Sequence, residues 1–139
     1  MIVLKTGTDL IEIERFVNYR RDHPSLWKRF VERVFTTKEL EECQERLESL
    51  AGKFAAKEAV AKAMGCGIGP ISWQEIEILR GLNHEPVLYL HGQAVLMAAE
   101  LGLTTWALSI SHTRTNALAM VTAVGEASLA TKPDQQDAS

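Results

Sequence analysis

The stretch from Leu50 to Met64 constrains this chain more than any other. Its alanines (Ala51, Ala55, Ala56, Ala59, Ala61, Ala63) are the best helix formers, and Gly65 and Gly67 supply a stop. Ser49 stands where an N-cap would sit, so a long central helix is expected over about 50–64. Ala55, Ala59 and Ala63 form one smooth strip against which another backbone can pack closely. Beside that strip, Glu58 and Lys62 are four residues apart, about 40° around the axis from each other. A carboxylate can hold a hard cation, and the ammonium beside it can face a phosphate. An exposed Glu–Lys pair at this spacing also occurs as ordinary helix decoration worth about 0.2–0.5 kcal/mol.

Composition narrows the field. A chain of 139 residues fits one domain with a sizeable core. No apolar run approaches the roughly 20 residues of a membrane-spanning helix. Met1-Ile-Val-Leu-Lys5 lacks the basic start, long apolar region and cleavage site of a signal peptide. Cys43 and Cys66 form no CxxC pattern, and His23, His84, His91 and His112 show no metal-ligand spacing. A disulfide scaffold and a zinc site are therefore not expected, and a reducing cytoplasm is.

The net charge is −3, but it is unevenly spread. Arg15, Arg20, Arg21, Lys28, Arg29 and Arg33 face only Asp22 and Glu32 within their segment, which is +4. Residues 39–48 carry five acids against Arg46, which makes them −4. An acidic protein with a local basic stretch is not a general nucleic-acid binder. Such a stretch can steer one acidic partner, or it can be an ordinary solvated helix face.

Along the chain, residues 2–13 read as a strand, with Gly7 marking a bulge or a close approach. Short helices are expected over 14–19 and 26–33. Thr36 and Glu39 form a capping box that opens a helix to about Arg46. Residues 71–79 and 87–90 read as strands, and Gly92–Gly102 as an alanine-rich helix. Residues 106–112 and 117–124 form two strands joined by a hairpin turn at 113–116. The class is α+β, with helices in the first half and mostly antiparallel strands in the second. One domain is expected over residues 1–125, followed by a polar, disordered tail over 126–139.

Two polar residues stand out in apolar surroundings. Asp9 lies inside the first strand, where aspartate is disfavoured. It is either a bulge residue bonded to nearby backbone or a metal-binding or catalytic carboxylate. His112 ends an apolar strand, either satisfied locally or handling a phosphate or proton.

Taken together, several blocks resemble a known family. These are Gly7-Thr8-Asp9-Leu10 with Ile13, Arg15 and Phe16, then Arg29-Phe30 through Phe35-Thr36 with Glu39-Leu40. Leu50-Ala51-Gly52-Lys53-Phe54-Ala55-Ala56-Lys57-Glu58-Ala59 follows, with Lys62-Ala63, Gly65, Gly67-Ile68-Gly69 and finally Ser109-Ile110-Ser111-His112. In order and spacing they resemble the holo-[acyl-carrier-protein] synthases, small bacterial-type 4′-phosphopantetheinyl transferases.

The resemblance implies a 4′-phosphopantetheinyl transferase-like fold and a specific reaction. The 4′-phosphopantetheine arm of coenzyme A moves to a serine of apo acyl carrier protein, 3′,5′-ADP is released, and Mg²⁺ is required. It assigns the metal to Asp9 and Glu58, the phosphates to Lys62, and the coenzyme A pocket to His112. Gly65 and Gly67 would let backbone approach the pantetheine or phosphate. Glu58, or a metal-bound water hydrogen-bonded to it, is the candidate base for the serine. Catalysis would then rest on Glu58, Lys62 and Asp9. Acyl carrier proteins are acidic, so the basic stretch becomes a docking surface led by Arg15 and Arg21. The resemblance also implies a cytoplasmic homotrimer with active sites at subunit interfaces, serving fatty-acid or polyketide synthesis. Three positions depart from the family pattern: Thr8, Cys66 and Glu85. The alternative from another class is a non-catalytic module that grips coenzyme A or a carrier protein.

Overall fold

A computed structural model describes residues 1–128 of the chain. Strand β1 (Ile2–Glu12) leads into helices α1 (Ile13–Asp22), α2 (Pro24–Val34), α3 (Thr37–Cys43) and α4 (Leu47–Ala63). A single 3₁₀ turn (Trp73–Glu75) precedes the hairpin β2 (Ile76–Arg80) and β3 (Pro86–Leu90). Helix α5 (Gly92–Glu100), β4 (Leu103–His112) and β5 (Asn116–Glu126) complete the fold. β1, β5 and β4 form one antiparallel sheet in that order, and β2 with β3 forms a second. The α+β class read from the sequence is therefore the observed one.

Strand alternation sorts the three-stranded sheet into two unlike faces. Gly7 and Ile11 of β1 and Ala117, Ala119, Val121 and Ala123 of β5 are buried beneath α4. The intervening residues Ile2, Leu4, Leu10, Leu118 and Met120 are exposed on the opposite face. α4 lies across the first face, and its alanine strip sits directly on β1. Ala55, Ala59 and Ala63 are buried, and a Cβ on Gly7 would lie 1.9 Å from the Ala59 carbonyl oxygen. β1 pairs with β5 without a register break from Ile2 to Glu12. Gly7 is thus a close approach of strand to helix and not a bulge.

Several boundaries differ from the sequence expectations, each for a local reason. α4 begins at Leu47 with Arg46 as its N-cap, so Ser49 lies inside the first turn and caps nothing. α3 ends at Cys43 because Gln44 and Glu45 turn left-handed, at φ 49° and 63°. α1 continues to Asp22, and β4 starts at Leu103. Residues 71–79 are not one strand: Ser72 and Glu75 form a second capping box that starts the 3₁₀ turn. Glu77 is buried, with its carboxylate bonded to Thr36 Oγ1 at 2.6 Å and His91 Nε2 at 3.1 Å. β5 runs to Glu126, and the amide of Ala127 donates to the carbonyl of Met1 at 3.0 Å. The rest of the tail expected to be disordered, residues 129–139, lies outside the described residues.

Candidate active site

The contact between Gly7 and α4 sets up the site. Because a strand repeats every two residues, Asp9 shares the helix-facing side with Gly7 and comes up beside α4. Its side chain is only 17% exposed, and Lys62 Nζ stands 3.2 Å from Asp9 Oδ1. The same ammonium donates to the Thr8 carbonyl at 2.9 Å. Lys62 is itself well exposed, so its flexible stem can reach outward.

One turn earlier on α4, Glu58 is half-buried in the cleft that Asp9 lines, a space of about 420 Å³. Phe16, Tyr19, Phe30 and Phe54 wall one side, and Arg15 stands at the rim. The rings interlock edge to face, Phe16 to Phe30 at 5.7 Å and Phe16 to Phe54 at 5.6 Å. Burial pushes the Glu58 carboxyl above its ordinary range, the Asp9 charge adds to this, and Lys62 partly offsets it. Two carboxylates from a strand and a helix thus press negative charge into one apolar-walled cleft. That chemistry fits a small hard cation. Mg²⁺ commonly takes one or two protein carboxylates and leaves its other positions to phosphate oxygens and water. Among the described residues no cluster of three or more His, Cys, Asp or Glu could hold a metal, so an all-protein cage is not what the cleft offers.

The other expected residues lie elsewhere. His112 is exposed at the end of β4 and lines a second cleft of about 250 Å³ with Lys53, Arg80 and Pro86. Within one chain, then, His112 does not share the Asp9–Glu58 cleft. Gly65 has φ +71°, which favours glycine, and caps the end of α4; its amide donates to the Lys62 carbonyl at 3.0 Å. Gly67 has open space where a Cβ would sit, so packing within the chain does not demand glycine there. Arg15 makes no ion pair among the described residues and lines the cleft. Arg21 instead grips Asp22 through Nε at 2.9 Å and Nη2 at 3.3 Å. Glu85 turns back into its own hairpin loop and accepts the Asn83 amide at 2.8 Å. Cys66 is half-buried, and burial pushes its thiol up.

Sequence reasoning missed Lys57. It is adjacent to Glu58 yet fully buried, 2.8 Å from an equally buried Glu39. Lysine is rarely buried unless paired, so composition offered no hint. The one available signal was that Lys57 and Lys53 are four residues apart on an alanine-rich helix.

Comparison with known proteins bears on this geometry. Residues 5–119 match the family model of the 4′-phosphopantetheinyl transferase superfamily. The chain belongs to that superfamily. It is 45% identical over 125 residues to a holo-[acyl-carrier-protein] synthase of Natranaerobius thermophilus, covering 85% of this chain and 94% of that one. It is 41% identical over 131 residues to the synthase of Herpetosiphon aurantiacus, covering 88% and 100%. The crystal structure of the Helicobacter pylori holo-[acyl-carrier-protein] synthase in complex with coenzyme A superposes with a TM-score of 0.75 at 28% identity, covering 85% of this chain and 98% of that chain. The span matched to the transferase superfamily contains Asp9, Glu58, Lys62 and His112.

Proposed function

We propose that the Asp9–Glu58 cleft is where the chain moves the 4′-phosphopantetheine arm of coenzyme A to a serine of apo acyl carrier protein, with release of 3′,5′-ADP. The observation that carries this reading is the convergence of Asp9, Glu58 and Lys62 from β1 and α4 on one side of a close strand–helix contact. Asp9 and Glu58 would hold Mg²⁺, which would offset the charge of the pyrophosphate when bound. The serine hydroxyl would give its proton to Glu58, or to a metal-bound water hydrogen-bonded to it. Lys62 releases the Thr8 carbonyl and the Asp9 carboxylate and turns to the phosphoryl oxygens, where its charge offsets theirs. Phe16, Phe30 and Phe54 keep water from that side of the cleft. The open space where a Cβ of Gly65 or Gly67 would sit lets the pantetheine or a phosphate approach the backbone there.

The activity is assigned to one domain, residues 1–125. The carrier protein docks along the basic stretch, led by Arg15 at the rim of the cleft and then by Arg21. The resemblance to the synthases suggests a homotrimer, and the outer sheet face, with Ile2, Leu4, Leu10, Leu118 and Met120 together, offers an apolar patch of the kind that marks an interface. A neighbouring copy would also let the coenzyme A pocket, with His112, be completed across subunits. No described helix is long and apolar enough to cross a membrane, and the free thiols of Cys43 and Cys66 fit a reducing cytoplasm, where the transfer would serve fatty-acid or polyketide synthesis.

The test is direct. The protein is incubated with coenzyme A, Mg²⁺ and apo acyl carrier protein, and the carrier is weighed by mass spectrometry. The expected gain is one phosphopantetheine, abolished by EDTA and by Glu58→Ala. An unchanged carrier mass, with coenzyme A still bound, would instead identify a binding module.

A further inference from the structure

One edge of β2 pairs with β3, and among the described residues no strand lies beside the other edge. Four charged side chains take that strand's place. From α3, Glu39 Oε2 accepts the amide of Ile78 at 2.9 Å, and Glu42 accepts the amide of Arg80 at 3.1 and 3.2 Å. From α4, Lys57 donates to the carbonyl of Ile76 at 2.5 Å and Lys53 to that of Ile78 at 2.7 Å. Each lysine also pairs with its carboxylate, Lys57 with Glu39 at 2.8 Å and Lys53 with Glu42 at 2.6 Å. Lys57 reaches one oxygen more, the Trp73 carbonyl at 3.0 Å. The spacing explains the fit: i,i+3 on α3 and i,i+4 on α4 each present one helix face, and the bonded groups of β2 recur every two residues.

We infer that Lys57 is a positioning residue, which fixes the roll of α4 and so aims Glu58 at Asp9. The alanine strip sets how near α4 lies to β1, but side chains of methyl size offer little resistance to rolling. Lys57 offers much, because its ammonium is held by three fixed oxygens from α3, the 3₁₀ turn and β2. Glu58 is the next residue, 100° further around the helix. A roll of about 20° carries a side-chain tip about 2 Å, at a helix radius with side chains of about 5–6 Å. Metal–ligand distances hold to about 0.2 Å. A lost clamp therefore acts on the Glu58 carboxylate without Lys57 touching substrate or metal.

The inference rests on the reading of Asp9 and Glu58 as metal ligands, and the test separates the two. Mn²⁺ binding is measured by calorimetry in the presence of coenzyme A, on the full chain, beside urea unfolding. The variants are Glu58→Gln, Lys57→Met, the double variant Glu39→Gln/Lys57→Met, and Leu103→Ala as a buried but remote destabilised control. Lys57→Met leaves the Glu39 charge alone in the core, and the double variant removes it. The urea midpoint is expected to recover in the double variant relative to Lys57→Met. Mn²⁺ affinity is not expected to recover, and stays down about 10–100-fold as for other residues that orient metal ligands. Leu103→Ala should lose stability and keep its Mn²⁺ affinity. If Lys57→Met does not fold, the double variant is read alone against Leu103→Ala. Wild-type Mn²⁺ affinity in the double variant, or an equal loss in Leu103→Ala, overturns the positioning role. Wild-type affinity in Glu58→Gln overturns the metal site itself.

Discussion

Gly7→Ala should damage this protein more than its single methyl suggests. The added Cβ would lie 1.9 Å from the Ala59 carbonyl oxygen, 2.9 Å from its carbon and 3.0 Å from the Ala63 nitrogen. All three atoms belong to helix backbone, so no side chain can swing aside. Reaching even a tight 3.0 Å requires β1 and α4 to part by at least 1.1 Å. β1 cannot yield alone, because it is paired with β5 along its whole length. Overpacking of a closed core costs about 1–3 kcal/mol, and a backbone clash belongs at the upper end. At about 3 kcal/mol, with roughly 2–6 °C lost per kcal/mol for a domain of this size, Tm should fall by about 6–18 °C. The parting also moves Asp9 on β1 away from Glu58 on α4, the pair proposed to hold Mg²⁺, so activity per folded molecule should drop. Thermal and urea unfolding followed by circular dichroism, with transfer assayed at a temperature where the variant is folded, measures both effects. A Gly7→Ala protein within about 0.5 kcal/mol of wild type, the range of an ordinary surface change, would refute the close-approach argument.

Other outcomes follow from the same geometry. Lys57→Met leaves Glu39 charged and unpaired in the core, so it should lose about 3–5 kcal/mol in urea unfolding, against under 1 kcal/mol if the pair were exposed. Glu75 accepts the backbone amide and the hydroxyl of Ser72 and the first amides of α5, and these hold its carboxyl below the ordinary range. Its stabilising contribution is complete above the unfolded carboxyl pKa near 4.5 and is lost as pH falls through the lower folded value. Glu75→Gln should accordingly be less stable than wild type at pH 7 and lose that deficit in acid; a constant deficit across the titration would count against it. Arg15→Glu should raise the KM for carrier protein more than Arg21→Glu does, since Arg21 is already paired with Asp22, while the KM for coenzyme A stays nearly unchanged in both. Leu10→Asp should turn a trimer into monomers in sedimentation, and an unchanged mass would remove the sheet face from the interface.

What the sequence discloses follows how local the physics is. Thr36 and Glu39 announce α3 because a capping box is complete within four residues, and both of its bonds form, at 3.2 and 2.9 Å. The same pattern at Ser72 and Glu75 was equally legible, but the alternation of Glu75, Ile76, Glu77 and Ile78 reads as a strand and hides it. Asp9 betrays itself because a strand has no ordinary use for an aspartate, and Gly7 because a strand has none for a glycine. Lys57, Lys53 and Glu77 stay hidden. A helix lysine is normally solvated, and only the bare edge of β2 and the acids of α3, both remote in sequence, make burial favourable. His112 stands out in the sequence as a histidine ending an apolar strand, but its cleft is distinct from that of Asp9 within the chain, and no spacing rule contains that separation.

Asp9 and Glu58 are proposed to hold together the Mg²⁺ that would serve transfer. The most direct measurement is anomalous scattering from crystals grown with coenzyme A and Mn²⁺. One strong peak is expected in coordination range of both carboxylates, with a pyrophosphate oxygen beside it, lost in Glu58→Gln. A peak bound to neither residue, or bound coenzyme A with no peak at the cleft, would contradict it.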